Sequence, residues 1–222
     1  MAGMTTTRAA LREMVRRRLA DSSAEPLWED AFLNDAIAEA VRRYSDRLPR
    51  EAFANATVAA GARTVSVPEG VSPFRIVRVF DDRGDLWRQW EGSLSASPPV
   101  ASAPASGERL WRLWGDDLML ASPAPRSAVW RLEYRADRTP PTADGTPLDA
   151  EIGDEDILIA LAMQVALVRR AIADGKASRA DGKGAHPLMG AARMAQVDAD
   201  KLFWLRRRRV TGSVLVPQEA DR

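Results

Sequence analysis

The chain contains no cysteine and a single histidine, His186. The absence of cysteine excludes disulfides, thiolate nucleophiles and thiolate metal sites together. A hydrolase triad or a histidine-based metal site needs a histidine that a second group holds in place, and His186 instead lies in a glycine-rich stretch directly before a proline. We therefore expect no catalytic residue, no metal site, no cofactor and no enzymatic activity.

The chain also lacks long apolar runs and an excess of charge of either sign. The longest apolar run, Ile157 to Met163, stops at Gln164, and the first residues contain no hydrophobic signal region, so neither a membrane span nor secretion is indicated. With 32 basic against 31 acidic side chains the formal net charge is +1, so no global field draws the chain to nucleic acid or to an anionic membrane. Any electrostatic partner must therefore be met by a local patch.

Apolar residues recur at helical spacing near both ends of the chain, over about Thr7–Leu48 and Glu151–Arg209. The first stretch predicts two helices, the second of which ends at Leu48-Pro49, where proline forbids continuation. The other stretch predicts a long buried helix, introduced by the carboxylates of Asp149–Asp156, and a last helix that begins near Pro187. We expect the two ends to pack on each other and to complete one helical core.

Between Pro49 and Pro141 the period of the apolar residues changes from 3.6 to 2. Trp130, Leu132 and Tyr134, for example, alternate with charged residues, as is typical of a half-buried strand. Five or six short antiparallel strands are predicted, in a small sandwich or barrel. The segment Ser95–Ser106 is almost wholly alanine, serine and proline, and we expect it to form a flexible excursion between strands.

The predicted fold class is therefore α+β, with a helical bundle formed by the N- and C-terminal helices and an inserted small antiparallel β domain. The predicted boundaries are residues 1–49 plus 142–209 for the helical bundle, residues 50–141 for the β domain, and residues 210–222 for an extended C-terminal tail.

Three groups of residues are candidates for contacts with partners. The first group lies on the polar side of the first helix and consists of Arg12, Arg16, Arg17 and Arg18. Two interpretations of this group are open: a solvated face, or a patch that binds an acidic protein surface or nucleic acid. At the end of the last helix we expect an exposed basic knob of Arg206, Arg207, Arg208 and Arg209. The third group is an apolar triplet that follows a Gly212-Ser213 hinge and consists of Val214, Leu215 and Val216. Two interpretations of this segment are open: a frayed terminus, or a segment that adds a strand to a partner's sheet.

Tryptophan is concentrated in the predicted β domain, which holds five of the seven: Trp87, Trp90, Trp111, Trp114 and Trp130. One interpretation is an aromatic platform for sugars or unstacked bases. Because these residues occupy both faces of their strands, packing in the core and subunit contact are favoured. A carbohydrate- or nucleic-acid-binding module is the alternative function, and a carboxylate-dependent hydrolase is a third.

Both helical ends resemble the head-to-tail adaptor (connector) proteins of tailed bacteriophages and related gene transfer particles. The residues that carry the resemblance are Leu11 through Asp21, Trp28, Asp30, Leu33-Asn34-Asp35-Ala36, Tyr44 through Pro49, Gly153 through Leu158, Arg169-Arg170 and Asp174.

This resemblance implies a structural protein of the virion, made in the host cytoplasm and located in the neck between capsid and tail. It implies a ring, commonly of twelve copies, that docks on the portal protein and offers a platform to the next neck or tail protein. The expected partners are the portal, neighbouring copies, downstream neck or tail proteins and, transiently, genome DNA, without a membrane. In such a ring the Arg206–Arg209 knob and the Val214–Val216 triplet would dock on the portal. Arg12 and Arg16–Arg18 would meet neighbouring subunits or portal acids first, and DNA second.

Overall fold

The computed structural model describes residues 6–21, 23, 25–90, 109–177 and 187–212. The predictions for Ser95–Ser106, His186 and Val214–Val216 lie outside these residues. The chain divides into two compact units: a helical unit, Met1–Leu48 with Asp137–Arg222, and a β unit, Pro49–Ala136.

The described part of the helical unit contains four α-helices: α1 (Arg8–Arg18), α2 (Asp30–Arg47), α3 (Glu155–Ala177) and α4 (Pro187–Gly212). They agree with the four predicted helices. Thr7 caps α1, because its hydroxyl accepts a hydrogen bond from the Ala10 amide at 3.3 Å. Helix α2 ends immediately before Leu48, as Pro49 requires.

One apolar core runs through all four helices. The helices α1, α2 and α3 contribute branched side chains that are fully buried, and each of these stabilises the fold by about 1.5–3 kcal/mol relative to exposure. Helix α4 contributes mainly small residues, which allow a close approach to α3. The residues of α4 buried in this core are Ala192, Ala199 and Phe203.

The segment from residue 137 to residue 154, which leads from the β unit to α3, is tied to the helices. Thr7 and Pro147 form an isolated β-bridge, and the Ala9 amide donates to the carbonyl of Asp144 at 3.1 Å. Arg138 is buried and donates to the carbonyl of Leu48 at 2.7 Å. The boundary of the β unit thus lies at Ala136, earlier than the Pro141 predicted from the sequence, because Arg138 is anchored among the helices.

The described part of the β unit forms one curled sheet in the order β1-β7-β3-β4-β5-β6-β2. The two edge strands of this order, β1 and β2, approach one another. The strands are β1 (Arg50–Val58), β2 (Thr64–Ser66), β3 (Ile76–Phe80), β4 (Leu86–Gln89), β5 (Leu110–Trp114), β6 (Asp117–Leu120) and β7 (Ala128–Ala136).

Two predictions for this sheet were wrong. It has seven strands instead of five or six, because β1 was not recognised as a strand; its inward positions before Val58 are alanines, which are poor strand formers. It is also not wholly antiparallel, since β4 pairs with β5 in parallel. A parallel pair needs a connection of a dozen or more residues, and residues 90–109 provide that length.

Tryptophan fills the core of the β unit. Trp87, Trp111 and Trp130 are buried, and the rings of Trp87 and Trp130 lie 4.6 Å apart between centroids. The buried indole of Trp111 donates to the carbonyl of Trp87 at 3.0 Å, so its polar atom is satisfied. For these three residues, packing in the core is confirmed.

Candidate docking surfaces

Two of the predicted contact arginines of α1, Arg12 and Arg16, lie inside the helical unit. Both are 8% exposed, so they belong to neither a solvated face nor a free patch. Arg16 donates to Asp21 at 3.0 Å and to Asp30 at 2.5 Å. The expectation of a solvated face was wrong here because these carboxylates, at the end of α1 and the start of α2, draw the guanidinium inward.

Arg12 binds Asp144, a residue far away in sequence, in the segment before α3. Its guanidinium donates to the two Asp144 carboxylate oxygens at 3.0 and 3.2 Å, and Arg8 donates to the same carboxylate at 2.7 Å. These hydrogen bonds lower the pKa of Asp144, chiefly through Arg12, and the bond to Asp144 raises the pKa of Arg12. Arg8 and Arg12 thus bind the segment before α3 to helix α1.

Arg17 and Arg18 are the exposed members of the predicted patch. Arg17 donates to the carbonyl of Glu13, one turn earlier, at 3.4 Å. The side chain of Arg18 is 64% exposed and forms an ion pair with Asp156 of α3 at 3.3 Å. Exposed pairs of this kind contribute about 0–1 kcal/mol, so Arg18 can exchange its partner at little cost.

Arg206, predicted to lie in an exposed basic knob, is instead turned toward the start of α3. It pairs with Asp154 at 2.6 Å, and the second oxygen of that carboxylate accepts a hydrogen bond from the Tyr44 hydroxyl at 2.5 Å. Asp154 is buried. Burial, followed by the hydrogen bond to Asp154, raises the pKa of Tyr44 above its ordinary value. The side chains of Arg207, Arg208 and Arg209, and the residues Val214, Leu215 and Val216, lie outside the described part.

An apolar groove runs along the helical unit between α3 and α4. It has a volume of about 630 Å³ and passes between Ile159, Met163 and Leu167 on one side and Met194 and Leu205 on the other. Met194 is 63% exposed and Leu205 is 37% exposed. The charged residues at its rim are balanced: Arg18, Lys201, Asp156 and Asp198.

The β unit presents two of its tryptophans around a cation. The guanidinium carbon of Arg112 lies 5.0 Å from the ring centroid of Trp90 and 5.1 Å from that of Trp114. Trp114 is 57% exposed. Within the described residues, Nε of Arg112 is buried without a hydrogen-bond partner. Aromatic rings and arginine in one cluster are typical of protein interfaces.

A second recess of about 280 Å³ on the β unit contains the carboxylates of Glu51 and Glu133. Glu133 accepts from Arg78 at 3.3 Å and pairs with Arg131 at 2.8 Å, as in a surface ion-pair network. In the described ranges, no group of three or more acidic or histidine side chains is placed to hold a metal ion. No helix of those ranges is both long and apolar enough to cross a membrane.

Sequence reasoning missed the residues that organise these surfaces. Asp154 was interpreted as a dipole-capping residue, and Asp144 and Arg138 were given no role, yet each binds a residue of another segment. The only signal in the sequence was the number of charged residues between β7 and α3, and that number does not identify their partners.

A protein-family model described as SU10 adaptor protein matches residues 6–217 of the chain. The match covers both helical ends, the β unit and part of the tail. No curated protein matches the chain.

Proposed function

The chain belongs to the SU10 adaptor protein family, and we propose from this premise that it forms a ring in the virion neck, where it docks on the portal and connects the capsid to the tail. The family is one of structural phage proteins that take part in the head-to-tail connection, and it is not known as a family of enzymes. The match over residues 6–217 is the observation that carries the proposal. In the proposed ring, the helical unit is the adaptor core and the β unit is an insertion.

The contacts of the ring are distributed between two sets of arginines. Arg17 and Arg18 are exposed, so they meet acids of a neighbouring copy or of the portal first and genome DNA second. Arg12 and Arg16 do not contact a partner in this proposal, because their charges are already paired within the helical unit. They stabilise the helix that carries Arg17 and Arg18. A channel that lets DNA slide cannot bind it tightly, and the near-neutral net charge of +1 is consistent with that requirement.

The C-terminal tail is the segment that grips the portal. Helix α4 runs to Gly212, and the apolar triplet Val214–Val216 follows it directly. An extended apolar triplet can add a strand to the edge of a partner's sheet, where backbone hydrogen bonds supply affinity. Arg206, six positions before the end of α4, pairs with Asp154 and so ties this part of the helix to the start of α3.

The β unit reaches a tail or fibre protein through the cluster of Trp90, Arg112 and Trp114. Tryptophan and arginine dominate the binding energy of protein interfaces. The alternative function, a module that reads sugars or bases on a tryptophan platform, is weakened because Trp87, Trp111 and Trp130 are buried in the core and cannot stack on a ligand.

The test is capture of the chain by the portal ring of the same virus, followed by electron microscopy of the complex. We expect a closed ring of copies on the portal with the full chain. Replacement of Val214, Leu215 and Val216 by serine should abolish capture, whereas removal of residues 218–222, which leaves the triplet in place, should not.

Two outcomes would contradict the proposal. Equal capture of the full chain and of the serine variant would remove the docking role of the tail. Failure of the full chain to bind the portal at all, together with binding to an oligosaccharide or single-stranded DNA that Trp114→Ala abolishes, would favour the alternative function.

A further inference from the structure

One arginine of the β unit is surrounded by apolar side chains. Arg112 lies on β5 two positions before Trp114, so the two side chains share one face of the sheet. Trp90 directly follows β4, which pairs with β5 in parallel, and its ring lies beside the guanidinium of Arg112. On the other side of β5, Met119 of β6 lies directly opposite Arg112. Two indoles and a thioether therefore shield this cation from water.

Within the described residues, Arg112 pairs with no carboxylate. Its guanidinium donates to Sδ of Met119 at 3.3 Å, and a thioether sulfur is a weak acceptor. Its Nε is buried and, in the same part of the chain, has no hydrogen-bond partner. Asp117 lies diagonal to Arg112 on the same face, opposite Trp114, and these two described residues form no ion pair. A cation removed from water is stabilised chiefly by an opposite charge, so an incoming carboxylate gains more here than at an exposed arginine.

More exposed arginines of the same unit do have carboxylate partners. Arg109 pairs with Asp85 and Arg126 pairs with Asp82, although both arginine side chains are 44% exposed. Arg112 is less exposed than either of them. The arginine that most needs a counter-charge is thus the one that its own unit, where described, does not supply with one.

The surroundings of Arg112 favour a single carboxylate of a protein over a polyanion or a sugar. Asp116, in the turn, and Asp117, on β6, flank Trp114. They would repel the repeated phosphates of nucleic acid or the repeated carboxylates of an acidic polysaccharide. An uncharged sugar that stacked on Trp114 would leave Arg112 without a counter-charge. A protein surface can present one carboxylate among neutral neighbours, which matches one cation between aromatic rings.

We propose that Arg112 binds an aspartate or glutamate side chain of the tail or fibre protein, and that Trp90 and Trp114 exclude water from this ion pair. The weak hydrogen bond to Met119 is exchanged for charge-assisted bonds, which are roughly twice as strong as neutral ones. Contacts that are central and shielded from water dominate the affinity of an interface. This inference rests on the proposed function and adds to it the chemical group through which the partner is recognised.

The first experiment measures binding of the detached tail of the same virus to portal rings loaded with the full chain. Arg112→Gln removes the charge and should weaken tail binding by about tenfold or more, while loading of the portal is unchanged. Trp114→Ala, which opens the ion pair to water, should weaken tail binding as well. The matched control is Arg63→Gln, at an exposed arginine of the same unit that donates to the carbonyl of Ala121, and it should bind the tail as the unmodified chain does.

The second experiment identifies the partner's carboxylate and does not depend on a loss of binding. The β unit contains no lysine, so Arg112→Lys introduces its only side-chain amine. A water-soluble carbodiimide joins an amine to a carboxylate in contact with it, and peptide mass spectrometry identifies the two linked residues. We expect position 112 to be linked to an aspartate or glutamate of a tail or fibre protein. Arg63→Lys is the matched control and should not be linked to that residue.

Equal tail binding by Arg112→Gln and Arg63→Gln would overturn the inference. A link from position 112 to a carboxylate of the same chain, such as Asp117 or Glu91, or to a neighbouring copy would overturn it too, because the counter-charge would then come from the ring itself. Binding of single-stranded DNA or of an oligosaccharide that Arg112→Gln abolishes would assign the cation to another class of ligand, with the same consequence.

The outcomes separate this inference from the proposed function. Loaded portal rings that capture the tail whether or not Arg112 is present would refute the inference while the adaptor role stands. A full chain that forms no ring on the portal would overturn both.

Discussion

The two units of this protein differ in how many charged side chains they bury beside their apolar cores. The helical unit encloses charged groups, among them Arg12, Arg16, Arg138 and Asp154, whereas the described β unit buries three tryptophans and, among its charged residues, Asp81 alone. Burying a charge is costly unless it is paired, and each of these arginines binds a carboxylate.

The difference teaches how each unit is held together. In the helical unit, ion pairs join segments that are distant in sequence, such as α1 with Asp144 and α4 with Asp154. In the β unit, apolar packing under one curled sheet suffices, and its ion pairs, such as Arg126 with Asp82, lie nearer the surface. We therefore expect protonation to affect the helical unit and cavity formation to affect the β unit.

The largest expected effect is the loss of a core tryptophan. Trp130→Ala removes the ring that packs against Trp87 and should destabilise the β unit by about 3–5 kcal/mol, because a large cavity remains. Hydrogen–deuterium exchange should show faster exchange in β1, β3 and β7 and unchanged protection in α3. The control is Trp114→Ala, an exposed position where we expect about 0.5 kcal/mol. Equal loss of protection in both units would show that they do not unfold separately.

Removal of the buried carboxylate should be the next largest effect. Asp154→Ala leaves Arg206 and the Tyr44 hydroxyl without their shared partner and should cost about 3 kcal/mol, as for other broken buried pairs. Urea unfolding followed by far-ultraviolet circular dichroism measures it. Asp156→Ala, two positions further along, removes only an exposed pair and should cost less than about 1 kcal/mol. Similar losses in the two variants would contradict a special role for Asp154.

Tyr44 should give the helical unit a sensitivity to alkali. Its pKa is raised in the fold, so its contribution is complete below the unfolded pKa of about 10 and is lost as the pH rises further. Tyr44→Phe should cost about 2 kcal/mol at pH 7, since a hydrogen bond to a charged group is lost, and less above pH 10. Urea unfolding at both pH values measures this change. In a Tyr134→Phe background, the ultraviolet absorbance of phenolate reports on Tyr44 alone, and its appearance before unfolding would refute this prediction.

The smallest effect should appear in acid. The pKa of Asp144 is lowered by Arg12 and Arg8, so its contribution is complete above the unfolded pKa of about 3.9 and disappears as the pH falls through the folded value. The difference in unfolding free energy between the wild type and Asp144→Asn should therefore be larger at pH 7 than at pH 3. An equal difference at the two pH values would contradict this prediction.

The elements of the helical unit were predictable because their apolar residues recur at helical spacing over long stretches. Helix α3 is the clearest case, since Ile157 to Met163 is a continuous apolar run. Strand β1 was not predictable, because an alanine-rich alternation resembles neither a strand nor a turn. The parallel pairing of β4 with β5 depends on a long connection whose path no local pattern specifies.

The candidate surfaces were less predictable than the fold. An exposed arginine and a buried, paired arginine look alike in sequence, which is why Arg12 and Arg206 were expected at the surface. Their partners, Asp144 and Asp154, lie far away along the chain, and only folding brings them together.

The pairing of β1 with β7 has a consequence for how this protein can change. Arg50 lies opposite Ala136, so the β unit starts and finishes at neighbouring points of one ladder. A module whose two ends are adjacent can be shortened, exchanged or deleted while the host sequence on either side is joined by a brief loop. We therefore expect that a foreign domain grafted between residues 49 and 137 would leave the helices folded.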